Sequence, residues 1–260
     1  MAKIVSIHSF RGGTGKSNLT ANLASLVARA GKRVAVVDTD VQSPGIHIPF
    51  ALTDERIGRA LNHFIWGECA IHEAAYDVSA HRNGGMRDGA GNGDEGMLYL
   101  VPSSIKISDI GRILKEGYDV RLLNDGFQAL IEKLNLDFLF IDTHPGVNEE
   151  TLLSIAISDA LVLILRPDQQ DFQGTAVTVE LAKKLDVPNL WLVINKALPS
   201  MNFDRLRAKA EELFHVPVAA VLPLTTEMVQ LASSGLISLV HPDLEVSREM
   251  QAVANRLLAC

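Results

Sequence analysis

Residues 8–18 read HSFRGGTGKSN and contain three glycines and the order glycine-lysine-serine. The segment before them, KIVSIHSF (3–10), is short and rich in β-branched residues, which predicts a buried strand. The segment after them, KSNLTANLASLVARAGK (16–32), has helical apolar spacing and stops at Gly31. A glycine turn between a strand and a helix lets backbone amides and the positive helix end surround an anion. The stretch therefore predicts a phosphate-binding loop for a nucleotide.

The loop also departs from the usual pattern, which has a glycine five positions before the glycine-lysine pair. Phe10 occupies that position, and Arg11 directly precedes two glycines. Within the loop, Lys16 is predicted to reach the β- and γ-phosphates, and Ser17 offers a hydroxyl to Mg²⁺. The residues predicted to contact the nucleotide here are Gly12, Gly13, Thr14, Gly15, Lys16, Ser17 and Asn18.

Two later strands end in carboxylates. RVAVVDTD (33–40) ends in Asp38 and Asp40, and DFLFIDTHPG (137–146) contains Asp142. Ligands collect at the carboxyl ends of strands in open parallel sheets, so these side chains and the loop are expected at one edge. Magnesium-dependent phosphoryl transfer needs carboxylates near the metal and the water.

The rest of the chain alternates apolar strands with helical segments, which predicts an α/β fold. We expect one P-loop NTPase domain over 1–260, a mostly parallel twisted sheet with helices on both faces. Helical spacing also predicts a helix over 53–66. The glycine-rich segment 77–96 is expected to be a loop insertion, serving either as an exposed spacer or as a partner-binding element.

Composition limits the function classes. A net charge of −7 argues against a general nucleic-acid or anionic-membrane binder. Two cysteines without a partner motif indicate reduced thiols, and with no signal peptide this predicts a cytoplasmic protein. An iron–sulfur site would need cysteines shared between subunits.

The stretches RGGTGKS, VVDTDVQSPG and FIDTHPG together resemble the ParA/MinD ATPases, which carry a deviant Walker A motif. The resemblance covers nearly the whole chain, and residues 221–258 are similar to the end of MinD-type proteins. It implies an ATP-dependent homodimer that hydrolyses ATP to ADP and phosphate. Such a protein acts as a positioning or partitioning switch for division regulators, plasmids or chromosomes, with a protein partner that stimulates hydrolysis.

The resemblance also implies residue roles. Asp40 would be the switch carboxylate that positions the attacking water, with Lys16 and Arg11 stabilising charge. Asp38 and Asp142 would hold Mg²⁺, through waters, together with Ser17. Asn195 would hydrogen-bond the adenine, and Pro223 would place backbone beside the base.

Arg11 replaces the signature lysine of this family, which crosses the dimer interface to the partner's nucleotide. Arginine keeps the charge and can grip phosphate bidentately, so Arg11 can act in trans. The alternative is that Arg11 serves its own subunit, for instance by pairing with a local carboxylate.

Two further residues bear on specificity. Guanine-selective loops read NKxD, but in the motif that begins at Asn195 the fourth position is Leu198, which favours ATP over GTP. His144 stands where the family has a small residue or proline, and its simplest interpretation is a solvated loop histidine.

The sequence does not decide whether the protein acts on a membrane or on DNA. Leu244, Val246, Met250, Val253 and Leu257 form one stripe that predicts a helix packed on the core. No basic amphipathic extension follows, so MinD-type membrane attachment is not expected. Nonspecific DNA binding would use basic residues, but adjacent acids favour a solvated helix face. The candidates for DNA contact are Lys183, Lys184, Arg205, Arg207 and Lys209.

Two other function classes remain as alternatives. One is a nucleotide-binding regulatory module with little hydrolysis. The other is a nucleotide-dependent redox component like nitrogenase iron protein, for which Cys69 and Cys260 would have to bridge a cluster.

Overall fold

The computed structural model describes residues 1–80 and 96–260 of the chain. Most of the predicted insertion 77–96 therefore lies outside the described residues. Within them, eight strands form one sheet: β1 (Lys3–His8), β2 (Val34–Asp38), β3 (Tyr76–Asp77), β4 (Leu98–Val101), β5 (Phe138–Asp142), β6 (Ala160–Leu165), β7 (Asn189–Ala197) and β8 (Val218–Pro223).

Helices connect most of these strands. They are α1 (Lys16–Arg29), α2 (Leu61–Ile65), α3 (Ile107–Glu116), α4 (Arg121–Leu134), α5 (Glu149–Ala156), α6 (Gln169–Lys184), α7 (Phe203–Phe214), α8 (Thr226–Leu231), α9 (Ile237–Val240) and α10 (Glu245–Ala259). Short 3-10 turns lie at Asp54–Arg56 and Ile71–Ala74.

The strand order is β3-β4-β2-β5-β1-β6-β7-β8, and every pair except β3 with β4 is parallel. The expected mostly parallel α/β sheet is thus confirmed. Ile7 of β1 pairs with Asp142 of β5, and Asp38 of β2 pairs with the same Asp142. The register therefore places both carboxylates and the segment after β1 side by side at the carboxyl edge.

The sheet is covered on both faces, because alternate side chains of each strand enter different cores. Val34 and Val36 of β2 pack with α1 and α10, whereas Ala35 and Val37 pack with α2, α3 and α4. In the other half of the sheet, on the face where Ala35 and Val37 lie, the side chains of β6 and β7 pack with α6 and α7. The expected covering of both faces is confirmed.

Four of the five residues of the predicted C-terminal stripe lie on α10, whereas Leu244 directly precedes the helix and is partly buried against the same core. Val246, Met250, Val253 and Leu257 of α10 are buried, and the helix lies against α1 and β8. None of the helices among the described residues combines the length and apolarity needed to cross a membrane.

One local expectation is wrong. The helix predicted over 53–66 is only a 3-10 turn and the short α2, because the backbone of Arg59 between them is held by Tyr76, whose hydroxyl accepts from the Arg59 amide at 2.9 Å and donates to the Arg59 carbonyl at 2.8 Å. Leu61 donates its amide to the Pro102 carbonyl at 2.8 Å, and Asn62 accepts from the Ser104 amide. The edge strand β3 was not predicted from the sequence, because its two residues carry no periodic pattern.

Candidate functional site

The glycine loop connects β1 to α1 with two residues in left-handed backbone. Gly13 has φ 77° and Gly15 has φ 96°, conformations that favour glycine. A Cβ at Gly13 would meet nothing within 4 Å, so the loop is open to a ligand on that side. A Cβ at Gly15 would lie only 2.5 Å from Asn195 Nδ2. Gly15 is therefore required by both its backbone and the close approach of Asn195.

Phe10 has a structural function in this loop. Its ring lies so close to Gly174 of α6 that a Cβ there would overlap it. The Gly146 amide donates to the Ser9 carbonyl at 3.2 Å, which ties the same turn to the segment after β5. An aromatic anchor thus takes the place of the usual first glycine.

Lys16 forms a buried ion pair at the start of α1. Its Nζ lies 3.0 Å from Asp142 Oδ1, and the Thr20 hydroxyl lies 2.9 Å from the same oxygen. Asp142 Oδ2 is buried and has no hydrogen-bond partner among the described residues. The carboxylate therefore holds the lysine with one oxygen and leaves the other unsatisfied.

Asp38 lies beside Asp142 and is completely buried. Its Oδ1 accepts from the Asp40 amide at 3.0 Å. Burial raises the pKa of Asp38 well above its usual range, and the neighbouring Asp142 raises it further, whereas Lys16 opposes the shift. Asp38 and Asp142 are thus adjacent buried carboxyls at neighbouring strand ends, and one oxygen of Asp142 has no partner among the described residues. A divalent cation would stabilise the ionised form of this pair.

A magnesium ion fits this set only with additional ligands. In the described part of the chain, no group of three or more His, Cys, Asp or Glu side chains could hold a metal alone. Mg²⁺ keeps several waters and takes phosphate oxygens, so one or two carboxylates and the half-buried Ser17 are a sufficient protein contribution.

Asp40 is held by His144, and the sequence interpretation of that histidine as a solvated loop residue is wrong. His144 Nδ1 lies 2.7 Å from Asp40 Oδ1, and the Ser43 amide donates to the same oxygen at 3.0 Å. The hydrogen bond to Asp40 raises the pKa of His144, while partial burial opposes it. The contact joins the loop after β2 to the loop after β5.

His8 is a site residue that sequence reasoning missed. It ends β1, is fully buried, and lies 2.7 Å through Nδ1 from the Thr143 hydroxyl. Burial, reinforced by Lys16 and His144, lowers its pKa to about 3, so the ring is neutral near pH 7. Its place directly before the glycine loop is the only signal that could have singled it out.

A cavity of about 420 Å³ opens beside Gly15. Its walls include Asn18, Asn195 and Pro223, with Met228 and Val229 of α8 as apolar surface. Asn195 Nδ2 donates to the Thr14 carbonyl at 2.8 Å, and its Oδ1 is buried without a partner among the described residues. The structure thus brings the predicted base residues together with the glycine loop.

Lys196 also contacts the loop from this side, although its role was not predicted. Its Nζ donates to the Gly13 carbonyl at 2.7 Å. The backbone of Lys196 is left-handed, with φ 58°, which turns its side chain over the loop. Its position next to Asn195 in the sequence was the available signal.

Arg11 lies outside the phosphate cluster in the single chain. Its guanidinium hydrogen-bonds Gln170 and lies 3.8 Å from Asp171 Oδ1 at the start of α6. Asp171 already has a closer partner, because Arg166 Nε is 3.1 Å from its Oδ2. Arg11 is 40% exposed, so its local contacts are peripheral.

Three of the basic residues considered for DNA contact make intramolecular contacts. Lys183 donates to the Phe214 carbonyl at 2.9 Å, Arg207 donates to the Val218 carbonyl, and Lys209 lies over the Phe172 ring. These contacts favour the interpretation of a structural and solvated helix face.

The family model for the CobQ/CobB/MinD/ParA nucleotide binding domain matches residues 5–239 of the chain. The chain belongs to this family. The resemblance to ParA/MinD proteins found in the sequence is thereby confirmed, and the glycine loop and strand-end carboxylates lie within the matched region of this nucleotide-binding family.

The proteins similar to this one match almost the full length of the chain. An uncharacterized ATP-binding protein of Methanocaldococcus jannaschii is 26% identical over 99% of this chain and 88% of its own. The cell division ATPase MinD of Pyrococcus furiosus superposes with a TM-score of 0.81 at 22% identity, covering 100% of this chain and 99% of that one. MinD complexed with Mg-ADP from Pyrococcus horikoshii gives 0.79 at 21% identity, covering 100% and 98%. These likenesses establish a MinD-like P-loop NTPase fold for this family member.

Proposed function

We propose that this protein is a Mg²⁺-dependent ATPase that dimerises with ATP and works as a spatial positioning switch. The observation that carries the proposal is the buried cluster of Lys16, Asp142 and Asp38 beside an open glycine loop, with an unsatisfied carboxylate oxygen. A buried lysine at a helix start facing a glycine cradle suits a polyphosphate. We propose 1–260 as the extent of the domain.

Nucleotide binding would divide between two parts of the site. The amides of 12–16, Lys16 and the positive end of α1 would hold the phosphates. The cavity beside Gly15 would hold the adenine, with the unpartnered Asn195 Oδ1 available to accept from the exocyclic amine. Leu198 in place of an aspartate supports adenine over guanine.

Mg²⁺, held by Ser17 and through waters by Asp38 and Asp142, would neutralise charge on the phosphates. In hydrolysis, Asp40 would accept a hydrogen bond from the attacking water and orient it toward the terminal phosphate. Lys16 would stabilise charge there, since it is already fixed by Asp142 and loses little freedom on binding.

Dimerisation would use Arg11 in trans. Arg11 can leave its local contacts at little cost, because Asp171 keeps its closer pair with Arg166. A planar guanidinium reaching the partner's phosphates would make assembly depend on ATP. A dimer that forms with ATP and dissociates after hydrolysis can bind and release cargo or a stimulating protein, as suits a protein similar to a cell division ATPase.

The test uses Asp40→Ala with Mg²⁺ and ATP. We expect phosphate release to fall about a hundredfold and the variant to elute as a dimer, from which trapped partners can be identified by pull-down. Wild-type turnover in Asp40→Ala would remove the assigned role of Asp40. A purified wild-type chain that binds no adenine nucleotide would refute the whole proposal.

Arg11→Ala is the second arm of that test. It should bind ATP as a monomer with near wild-type affinity but fail to dimerise, whereas Arg11→Lys should still dimerise. Normal dimerisation of Arg11→Ala would instead support the local role of this residue.

A further inference from the structure

The two oxygens of Asp40 have different surroundings. Oδ1 accepts from His144 Nδ1 at 2.7 Å and from the Ser43 amide at 3.0 Å. Oδ2 makes no hydrogen bond within the described residues. One oxygen is therefore used to hold the side chain, and the other remains available to a water.

We propose that His144 is a positioning residue for hydrolysis, which fixes Asp40 through Oδ1 so that Oδ2 is presented to the attacking water. This inference rests on the proposed function. It assigns a role to a residue that stands where ParA/MinD proteins have a small residue or proline.

His144 is itself held rigidly enough for this role. The preceding Thr143 donates its hydroxyl to the Ile7 carbonyl of β1 at 3.0 Å. On the other side, the Gly146 amide donates to the Ser9 carbonyl, and the Asn148 side chain caps α5 by accepting from the Thr151 amide. The histidine is thus carried by a loop anchored to β1, the strand that leads into the phosphate loop.

Asp40 needs such a partner because its own loop fixes little of its side chain. Its amide is bound by Asp38 Oδ1, but the carboxylate has only the Ser43 amide besides His144. A carboxylate with one partner samples several rotamers, and a reactive group misplaced by about 1 Å can lose roughly a hundredfold in rate. His144 therefore acts on the orientation of Asp40.

The geometry also specifies the proton position. An ionised carboxylate only accepts hydrogen bonds, so the ring nitrogen facing Asp40 must carry a proton. His144 is then a donor at Nδ1, whether its ring is neutral or charged. Asparagine can place its amide nitrogen near the same point, which makes it the conservative replacement.

The experiment compares His144→Ala, His144→Asn and the control His241→Ala, which changes an exposed histidine elsewhere. We expect His144→Ala to lower kcat about ten- to hundredfold, with KM and the nucleotide Kd within about twofold of wild type. His144→Asn should recover most of the rate, and His241→Ala should behave as wild type. Wild-type kcat in His144→Ala, or no recovery in a folded His144→Asn, would overturn the proposal.

Two further measurements separate positioning from general damage. In single-turnover assays, adding His144→Ala to Asp40→Ala should cost nothing more, because the histidine acts through Asp40. A further loss of tenfold or more would contradict that route.

Nitrogen NMR of the nucleotide-free protein gives a readout without activity. The His144 ring should report a protonated Nδ1 that changes in Asp40→Asn. An Nδ1 without a proton in the wild type would refute the geometry, even if the protein is an active ATPase. Failure of nucleotide binding in the wild type would instead refute the proposed function, so the two failures are distinguishable.

Discussion

The two ends of the candidate site are built on different principles. The phosphate end, formed by residues 12–16 with Asp38, Asp40 and Asp142, is charged, and its carboxylates and lysine are buried. The base end, formed by the cavity with Asn195, Pro223 and α8, is mainly apolar and open. None of the residues of α8 is buried, and Val229 is 64% exposed.

The difference shows where binding energy is expected to come from. At the phosphate end, a bound phosphate would give Lys16 a second anionic partner beside Asp142. A bound cation would stabilise the ionised form of Asp38, whose pKa is raised, and would supply a partner for Asp142 Oδ2, which has none among the described residues. At the base end, we expect the shape of the cavity and the side-chain amide of Asn195 to select the base. We therefore expect changes at the phosphate end to dominate affinity and changes at the base end to alter discrimination.

The largest effect is expected for Lys16→Ala. Loss of charge-assisted hydrogen bonds to phosphate should cost about 3 kcal/mol, or about a hundredfold in Kd for ATP. Isothermal titration measures this. Lys196→Ala is the matched control, since Lys196 contacts the same loop from the base end, and it should change Kd by less than about threefold. Equal losses in both variants would abolish the distinction between the two ends.

Gly15→Ala should rank second because it affects both ends together. Left-handed backbone costs alanine about 1–2 kcal/mol, and the new Cβ displaces Asn195. We expect about thirtyfold weaker ATP binding and a lower melting temperature by differential scanning fluorimetry. Gly58→Ala, whose Cβ would meet nothing within 4 Å, is the control. Unchanged binding in Gly15→Ala would show that the loop does not hold the nucleotide.

Removal of divalent cations should affect one end only. With EDTA, the affinity for ADP should fall about tenfold, because the metal neutralises phosphate charge. Adenosine, which has no phosphate, should bind weakly and equally with and without the chelator. A metal dependence of adenosine binding would place the cation outside the phosphate end.

Asn195→Ala should have the smallest effect on affinity, about fivefold, from one lost hydrogen bond worth about 1 kcal/mol. Its main result should be reduced preference for ATP over GTP in competition assays. Asn189→Ala removes an amide at the other end of the same strand, where it donates to the Asp159 carbonyl at 2.9 Å. If both variants discriminate as the wild type does, Asn195 has no role in base selection.

Regular patterns made much of this fold predictable. The strands that end in Asp38 and Asp142 are uninterrupted apolar runs, which are typical of a parallel sheet buried on both faces. The stripe on α10 gave its packing correctly. The helix expected over 53–66 was wrong because the Arg59 backbone is hydrogen-bonded to the hydroxyl of Tyr76, a tertiary contact that no local periodicity records.

The candidate site also has some features that the sequence predicted and others that appear only in the folded chain. The sequence alone determined the glycine loop between β1 and α1, the strand-end carboxylates and the family, because these depend on residue order over short spans and on the direction of parallel strands. Only the tertiary structure decided that Phe10 packs on Gly174, that His144 holds Asp40 and that His8 is buried and neutral. Those contacts join residues more than a hundred positions apart, and their energies depend on burial and distance, which arise only when the chain has folded.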